Sequence, residues 1–290
     1  MKNGALVKVD LNGFGEAAKT LFNRIFDFVE DARRPGQIIK EAAAVAEAQK
    51  MLSQSGIQIS DLHSRGIARV ILEEGRNQGN IESILTKALP DVKAEAKSEN
   101  VDEDWLRFFL DKCKLVSNEE MQSLWAKLLA EEANLPGTFS KRTLQIVSVL
   151  NKKDAALFTR LCCFAIQIEA KDVVVVTPIV YNYEHGIYEP NDICCNSLLH
   201  LEDVGFIDFD KDGGHALGKQ PKQITITHYG KKVAIEFGQE NDNLFLVGYV
   251  KLTAIGNELF PICGSVEVDG FFKYLCEEWS KKGYKVSGLS

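Results

Sequence analysis

The residues of this chain that can do chemistry are few and far apart. Histidines stand at His63, His185, His200, His215 and His228. An imidazole titrates near neutral pH, so two of them brought together would make an acid–base or metal site. A His185/His200/His228 cluster is the first such site to look for. His63 lies near Arg69 and Glu73 on an expected helix, which suits a solvated or locally paired imidazole. The seven cysteines include the vicinal pairs Cys162-Cys163 and Cys194-Cys195 and no C-x-x-C spacing. An odd count without that spacing writes neither a disulfide framework nor a zinc site, and reads as buried thiols. Glu119-Glu120, Glu131-Glu132 and Glu277-Glu278 are helix neighbours, and adjacent helical residues do not face each other. They read as solvated faces. The glycine-rich phosphate loops, the nucleophile elbow G-x-S-x-G and the zinc helix H-E-x-x-H are all missing from the sequence. The expectation is therefore a non-enzymatic protein with no catalytic residue, no cofactor, no metal and no small-molecule substrate.

Two constellations could bind rather than react. Arg69, Glu73, Arg76, Asn77 and Asn80 share one side of a helix. They form either a polar ladder with interhelical hydrogen bonds or a contact surface for a partner or an anionic headgroup. The second constellation is apolar. At 100° per residue, Phe14, Ala17, Ala18, Leu21, Phe22, Ile25, Phe26, Phe28 and Val29 fill one half-cylinder of the helix expected over 14–31. Such a face docks on the chain's own core, on a partner groove or second subunit, or on a membrane surface. The polar half argues against anionic lipid, because it carries Lys19 and Arg24 against Glu16, Asp27, Glu30 and Asp31. The expected interaction surface is Phe14, Leu21, Phe22, Ile25, Phe26 and Val29, facing a partner protein, a second copy or a membrane surface.

The elements that must position these residues are clearest between Ser117 and Leu161. Ser117 and Glu120 make a capping box, followed by Met121, Leu124, Trp125, Leu128 and Leu129 at helical spacing. Pro136-Gly137 interrupts. Ser140 caps a helix carrying Leu144, Val147 and Leu150, and Asn151 caps one carrying Ala155, Phe158 and Leu161. This stretch, MQSLWAKLLAEEANLPGTFSKRTLQIVSVLNKKDAALFTRL, resembles the core signature of a bacterial family of domains of unknown function, itself similar to the abortive-infection alpha-type proteins of phage defence. RNQGNIESIL at Arg76–Leu85, DEDWLRFF at Asp102–Phe109, LTAIGNELFPICGS at Leu252–Ser265 and the amphipathic N-terminus resemble it too. The resemblance implies a bacterial cytoplasmic setting and a role in defence, and names no catalytic residue, cofactor or substrate.

Length and composition allow two domains: 290 residues, 45% of them apolar, suffice for two buried cores. No apolar run approaches a membrane span, and Met1–Asp10 has no signal-peptide core, so a cytoplasmic protein is expected. A net charge of −7 gives no general attraction to phosphate or anionic lipid. The chain reads as helix after helix up to Pro136, with an alanine-rich run at Ala42–Ala48 and a loose charged connector at Asp91–Asn100. After Lys171 the period changes to short strands at Val173–Thr177, Phe206–Asp210, Gln223–Thr227 and Leu244–Tyr249.

In the second half, a helix over 191–203 with Cys195, Leu198, Leu199 and Leu201 inward, then a strand, a glycine-rich connector and another strand, follow the order of a winged helix. The fold expected is α+β: an all-α half over residues 1–136 and a winged-helix-like α+β half over 137–290. A nucleic-acid-binding regulator is the alternative function. It is disfavoured because Asp172–Asp210 holds eight acidic residues and no Lys or Arg, whereas phosphate contacts rest on basic side chains. Lys219, Lys222, Lys231 and Lys232 remain as scattered candidates for backbone contact. The leading expectation is a sensor or adaptor of antiphage defence working through its N-terminal helix.

Overall fold

A computed structural model of the chain describes residues 11, 13–32, 61–171 and 173–289. It divides into two compact units, Met1–Ser148 and Val149–Ser290, so the helix after Ser140 belongs to the first unit and not to the second half that Pro136 was expected to open. Ala42–Ala48 lies outside the described residues.

The described part of the first unit is helical. Helices α1 (Glu16–Ala32), α2 (Asp61–Ala88), α3 (Glu103–Cys113), α4 (Glu119–Asn134) and α5 (Lys141–Val149) follow one another, with 3₁₀ turns at Leu89–Asp91 and Ser98–Asn100. Asp102 caps α3 by accepting the N–H of Trp105. The cap of α4 is Asn118, whose side chain accepts from Glu120 and Met121, and not Ser117. Both are capping types; the residue that reaches the second and third N–H groups is the cap. In the core Trp105 stacks on Phe109 with ring centroids 5.3 Å apart, and Phe109 meets Trp125 edge-on at 5.2 Å. The loop that Pro136-Gly137 opens is held by a buried acid: the Glu132 carboxylate accepts the N–H of Gly137 at 2.7 Å and of Phe139 at 2.9 Å. The connector between α2 and α3 is tighter than its charge suggested, since Ser98 and Ala96 are buried.

The second unit mixes helices and strands. Asn151 caps α6 (Lys152–Cys162) as expected, accepting from Lys153 and Asp154. There follow β1 (Ala165–Ala170), β2 (Val173–Pro178), α7 (Cys195–Val204), β3 (Ile207–Phe209), β4 (His215–Gln220), β5 (Gln223–His228), β6 (Lys231–Glu236), β7 (Asn243–Gly248), β8 (Val250–Leu252), α8 (Ala254–Leu259), α9 (Phe271–Lys281) and β9 (Lys285–Leu289). An antiparallel sheet runs in the order β2-β1-β5-β6-β9, with Ile168 opposite Ile226 at its centre. Two ribbons, β3-β8 and β4-β7, accompany it.

These pairings show a mixed α+β unit and do not show the expected winged helix. A wing needs the strand after the helix to pair with the strand after the connector, but Ile207–Phe209 pairs with Val250–Leu252 and Gln223–His228 lies inside the five-stranded sheet. The helix also begins later, at Cys195, after a 3₁₀ turn at Glu189–Asn191, and Leu199 points outward while Leu198 and Leu201 are buried. Close backbone approach fixes two glycines. A Cβ on Gly256 would stand 2.1 Å from the Phe206 carbonyl, and one on Gly248, which has φ +93°, 2.4 Å from the Val180 carbonyl.

Candidate functional site

The structure distributes the expected site residues. On α1, Leu21 and Ile25 are fully inside the helical unit, together with Ala17 and Ala18. Arg24 anchors the same helix by donating to the carbonyls of Ser98 at 2.5 Å and Val101 at 2.8 Å. Phe14, Phe22 and Phe26 are half-buried, and the last two stack at 6.1 Å. The side chain of Val29 lies outside the described residues. Leu21 and Ile25 are therefore packed in this unit's own core and are not offered to a partner while α1 is docked.

The polar line on α2 splits as well. Asn80 donates to the Lys114 carbonyl at 2.8 Å and accepts from the buried Gln122 of α4, whose Oε1 in turn accepts from Ser83 and Lys87. That is interhelical hydrogen bonding. Arg69 pairs with Glu73 at 3.8 Å on an exposed face, Arg76 reaches the Leu72 carbonyl at 3.5 Å, and Asn77 donates to Glu74.

The four described imidazoles go to four different partners. His185 lies against Tyr274 with centroids 4.5 Å apart, and His200 meets Asp154 at 2.8 Å. His215 donates from Nε2 to the Asp208 carbonyl at 3.0 Å, and His228 donates from Nδ1 to the Ala165 carbonyl at 2.9 Å. The expected His185/His200/His228 grouping is thus spread over separate local contacts. Among the described residues no three His, Cys, Asp or Glu side chains are placed to hold a metal ion. The cysteines are not uniformly buried: Cys194 is exposed and Cys195, Cys263 and Cys276 are half-buried.

What folding does build is a cleft of about 410 Å³ in the second unit. One wall is four consecutive residues of β2, Val174 to Thr177; the facing wall comes from His215–Leu217 of β4 and Val247 of β7, with Lys251 and Asn257 at its polar end. Consecutive strand residues alternate between sheet faces, so four in a row line one cavity only where the hydrogen-bonding edge itself is the wall. The topology agrees, since β1 is the neighbour of β2 on one side and the sheet ends on the other. Beyond Thr177 this outer edge is closed: Val180 bridges Gly248, the Tyr249 N–H donates to the Val180 carbonyl, and Thr177 Oγ1 reaches the Val250 carbonyl at 3.4 Å. Over 174–176 β2 has no strand partner on this edge among the described residues, and these residues line the cleft.

Electrostatics at the polar end are set by one carboxylate. Lys251 Nζ stands 2.8 Å from Asp208, and this bond, with His215 nearby, holds the Asp208 carboxyl below its usual range. The turn into β4 is clamped by Asp210, which accepts the N–H groups of Gly213 and Asp212 and is itself held low by them. The rest is apolar. Val173 and Val174 are 60% and 58% exposed, on a strand start with no charge or proline over 173–176 to blunt its edge. The sequence signal was present as Val173-Val-Val-Val-Thr177; what could not be read was which edge of which strand would be left unpaired.

Among the described residues no helix is long and apolar enough to cross a membrane. No curated protein matches this chain, and no solved structure matches it. A family model described as a protein of unknown function (DUF2806) matches residues 64–276. The span starts inside α2 and ends inside α9, so it takes in every wall of the cleft and leaves α1 outside. With most of its length covered, and both units included, the chain belongs to the DUF2806 family.

Proposed function

We propose that this protein is a non-enzymatic interaction protein whose second unit takes up an extended segment of a partner protein along the outer edge of β2. One observation carries the reading: four consecutive residues of an edge strand form one wall of a cleft. Such an edge offers alternating N–H and C=O groups, and strand addition uses them for affinity while flanking pockets choose side chains. Four residues of strand span about 13 Å. Val176, Leu217, Val247 and Leu252 favour small apolar side chains at alternate positions of the incoming segment. The sequence resemblance supports placing this recognition step in bacterial antiphage defence, as a sensor or adaptor in the cytoplasm; the setting rests on that resemblance alone. Docking of α1 makes its aromatic face the weaker candidate surface, and the acidic run Asp172–Asp210 weighs against a nucleic-acid partner.

The test is selection from a library of extended peptides on the intact protein, followed by Val174→Lys and Ala216→Arg, both at exposed cleft positions. Each variant should keep its melting temperature and lose the selected peptide, while Phe22→Asp/Phe26→Asp should keep it. Undiminished binding by both cleft variants would sink the assignment. A shift in oligomer size confined to Val174→Lys would make a second copy the occupant instead of a partner.

A further inference from the structure

The cleft is bordered by two strand edges, and hydrogen bonds fix what each presents. The Ile179 N–H donates to the Phe164 carbonyl at 3.0 Å, in register with the ladder that sets Ile166 opposite Thr177 and Ile168 opposite Val175. Bonded and non-bonded pairs alternate along an antiparallel ladder, so Val175 and Thr177 turn their backbone groups to β1 while Val174 and Val176 turn theirs outward. Two further bonds keep this phase. The Ala165 carbonyl is directed away from β2, where His228 Nδ1 donates to it at 2.9 Å, and the Val180 carbonyl faces outward, where it accepts the Tyr249 N–H at 2.9 Å. On the facing wall, β4 sets Ala216 opposite Leu246 of β7. Leu246 turns its backbone the other way: its carbonyl accepts the Tyr181 hydroxyl at 2.7 Å and its N–H donates to the Tyr284 hydroxyl at 3.2 Å. Ala216 and Leu246 are therefore a non-bonded pair, and the Ala216 N–H and carbonyl turn away from β7. That edge of β4 has no strand partner among the described residues, and Ala216 lines the cleft with its neighbours His215 and Leu217.

We propose that the partner segment is inserted between β2 and β4 and bonded on both sides, joining ribbon and sheet in the order β7-β4-segment-β2-β1-β5-β6-β9. This rests on the strand-addition reading above and narrows the partner. Consecutive residues of a strand direct their backbone groups to alternate sides, so neighbouring residues of the segment serve the two walls in turn: one set bonds Val174 and Val176, the other bonds Ala216. The occupant must therefore have both of its edges free. A second copy offering β2 does not meet that condition, because β1 already holds one edge of the strand, and an edge strand of any folded sheet fails in the same way. The partner that fits is a segment lying outside any sheet of its own protein. It must also be free of proline along the paired stretch, since each position there gives its N–H to one wall or the other. Addition to β2 alone would accept proline at every second position.

The probe is the peptide selected on the intact protein from the library of extended peptides, remade with one backbone nitrogen methylated at a time. Insertion predicts that methylation weakens binding about tenfold at each of two or more adjacent positions. Amide exchange of the unmodified protein supplies a readout that needs no variant: the bound peptide should slow exchange at Ala216 as well as at Val174 and Val176. Sensitivity confined to every second position, with Ala216 exchanging as in the free protein, would overturn insertion and leave addition to β2 standing. Exchange unchanged at all three amides, or a library that yields no peptide, would overturn both readings.

Discussion

At the residue scale the second unit holds an imidazole where a charge is costly. His228 is 1% exposed, lies among the rings of Tyr229, Phe271 and Phe272, and its Nε2 has no hydrogen-bond partner among the described residues. Burial holds its pKa below the ordinary 6.5. Between that lowered value and 6.5 the unfolded chain binds more protons than the folded one, so stability falls as pH drops through this window and is level above it. Urea melts of the wild type and His228→Leu should show this. The variant loses about 1 kcal/mol at pH 7.5 with its hydrogen bond to Ala165, yet declines less steeply from pH 6.5 to 5. A steeper decline in the variant would refute the assignment. Glu132 is the counterpart in the first unit. Removing its carboxylate in Glu132→Ala strips two N–H partners from the loop after α4 and should cost about 3 kcal/mol, read as a lowered denaturation midpoint. Neither role could be read from sequence: His228 was one of five scattered imidazoles, and Glu132 half of what looked like a solvated pair.

At the element scale, local signals succeeded and partner choice did not. The helices expected after Ser117, Ser140 and Asn151 and the strands at Val173 and Gln223 were legible because caps and periodicity act over a few residues. Pairing acts over the whole unit. Residues 223–227 read correctly as a strand, which the structure extends to His228, but nothing within them says that β1 and β6 will be their neighbours in place of β3. The cleft escaped notice for the same reason, since its distinguishing wall is backbone and backbone carries no sequence. The amphipathic helix shows the opposite case. Its periodicity was plain, and the structure assigns its central stripe to the core. Leu21→Asp places a charge at a fully buried position and should lower the stability of the helical unit by at least ~3 kcal/mol, whereas Phe22→Asp/Phe26→Asp, at half-buried positions, should cost less. Equal losses would mean that α1 docks through its aromatic edge.

At the scale of the whole molecule, the family is defined by two units together, because the matched residues 64–276 cross the boundary between Ser148 and Val149. Leu21→Asp and His228→Leu fall in different units, so their costs should add to within about 0.5 kcal/mol in the double variant. A larger discrepancy would show that the units share stability. The order β2-β1-β5-β6-β9 also has a consequence in time. Ile168 must find Ile226, and the intervening chain holds β2, α7, β3 and β4, the last two of which wait in turn for β8 and β7. Helices whose contacts are mostly local gather quickly, but ladders between distant strands close only after long loops have been searched. On dilution from denaturant, pulse-labelled amides of α4 should gain protection before those of β1 and β5, making the central ladder the slow clock of this fold.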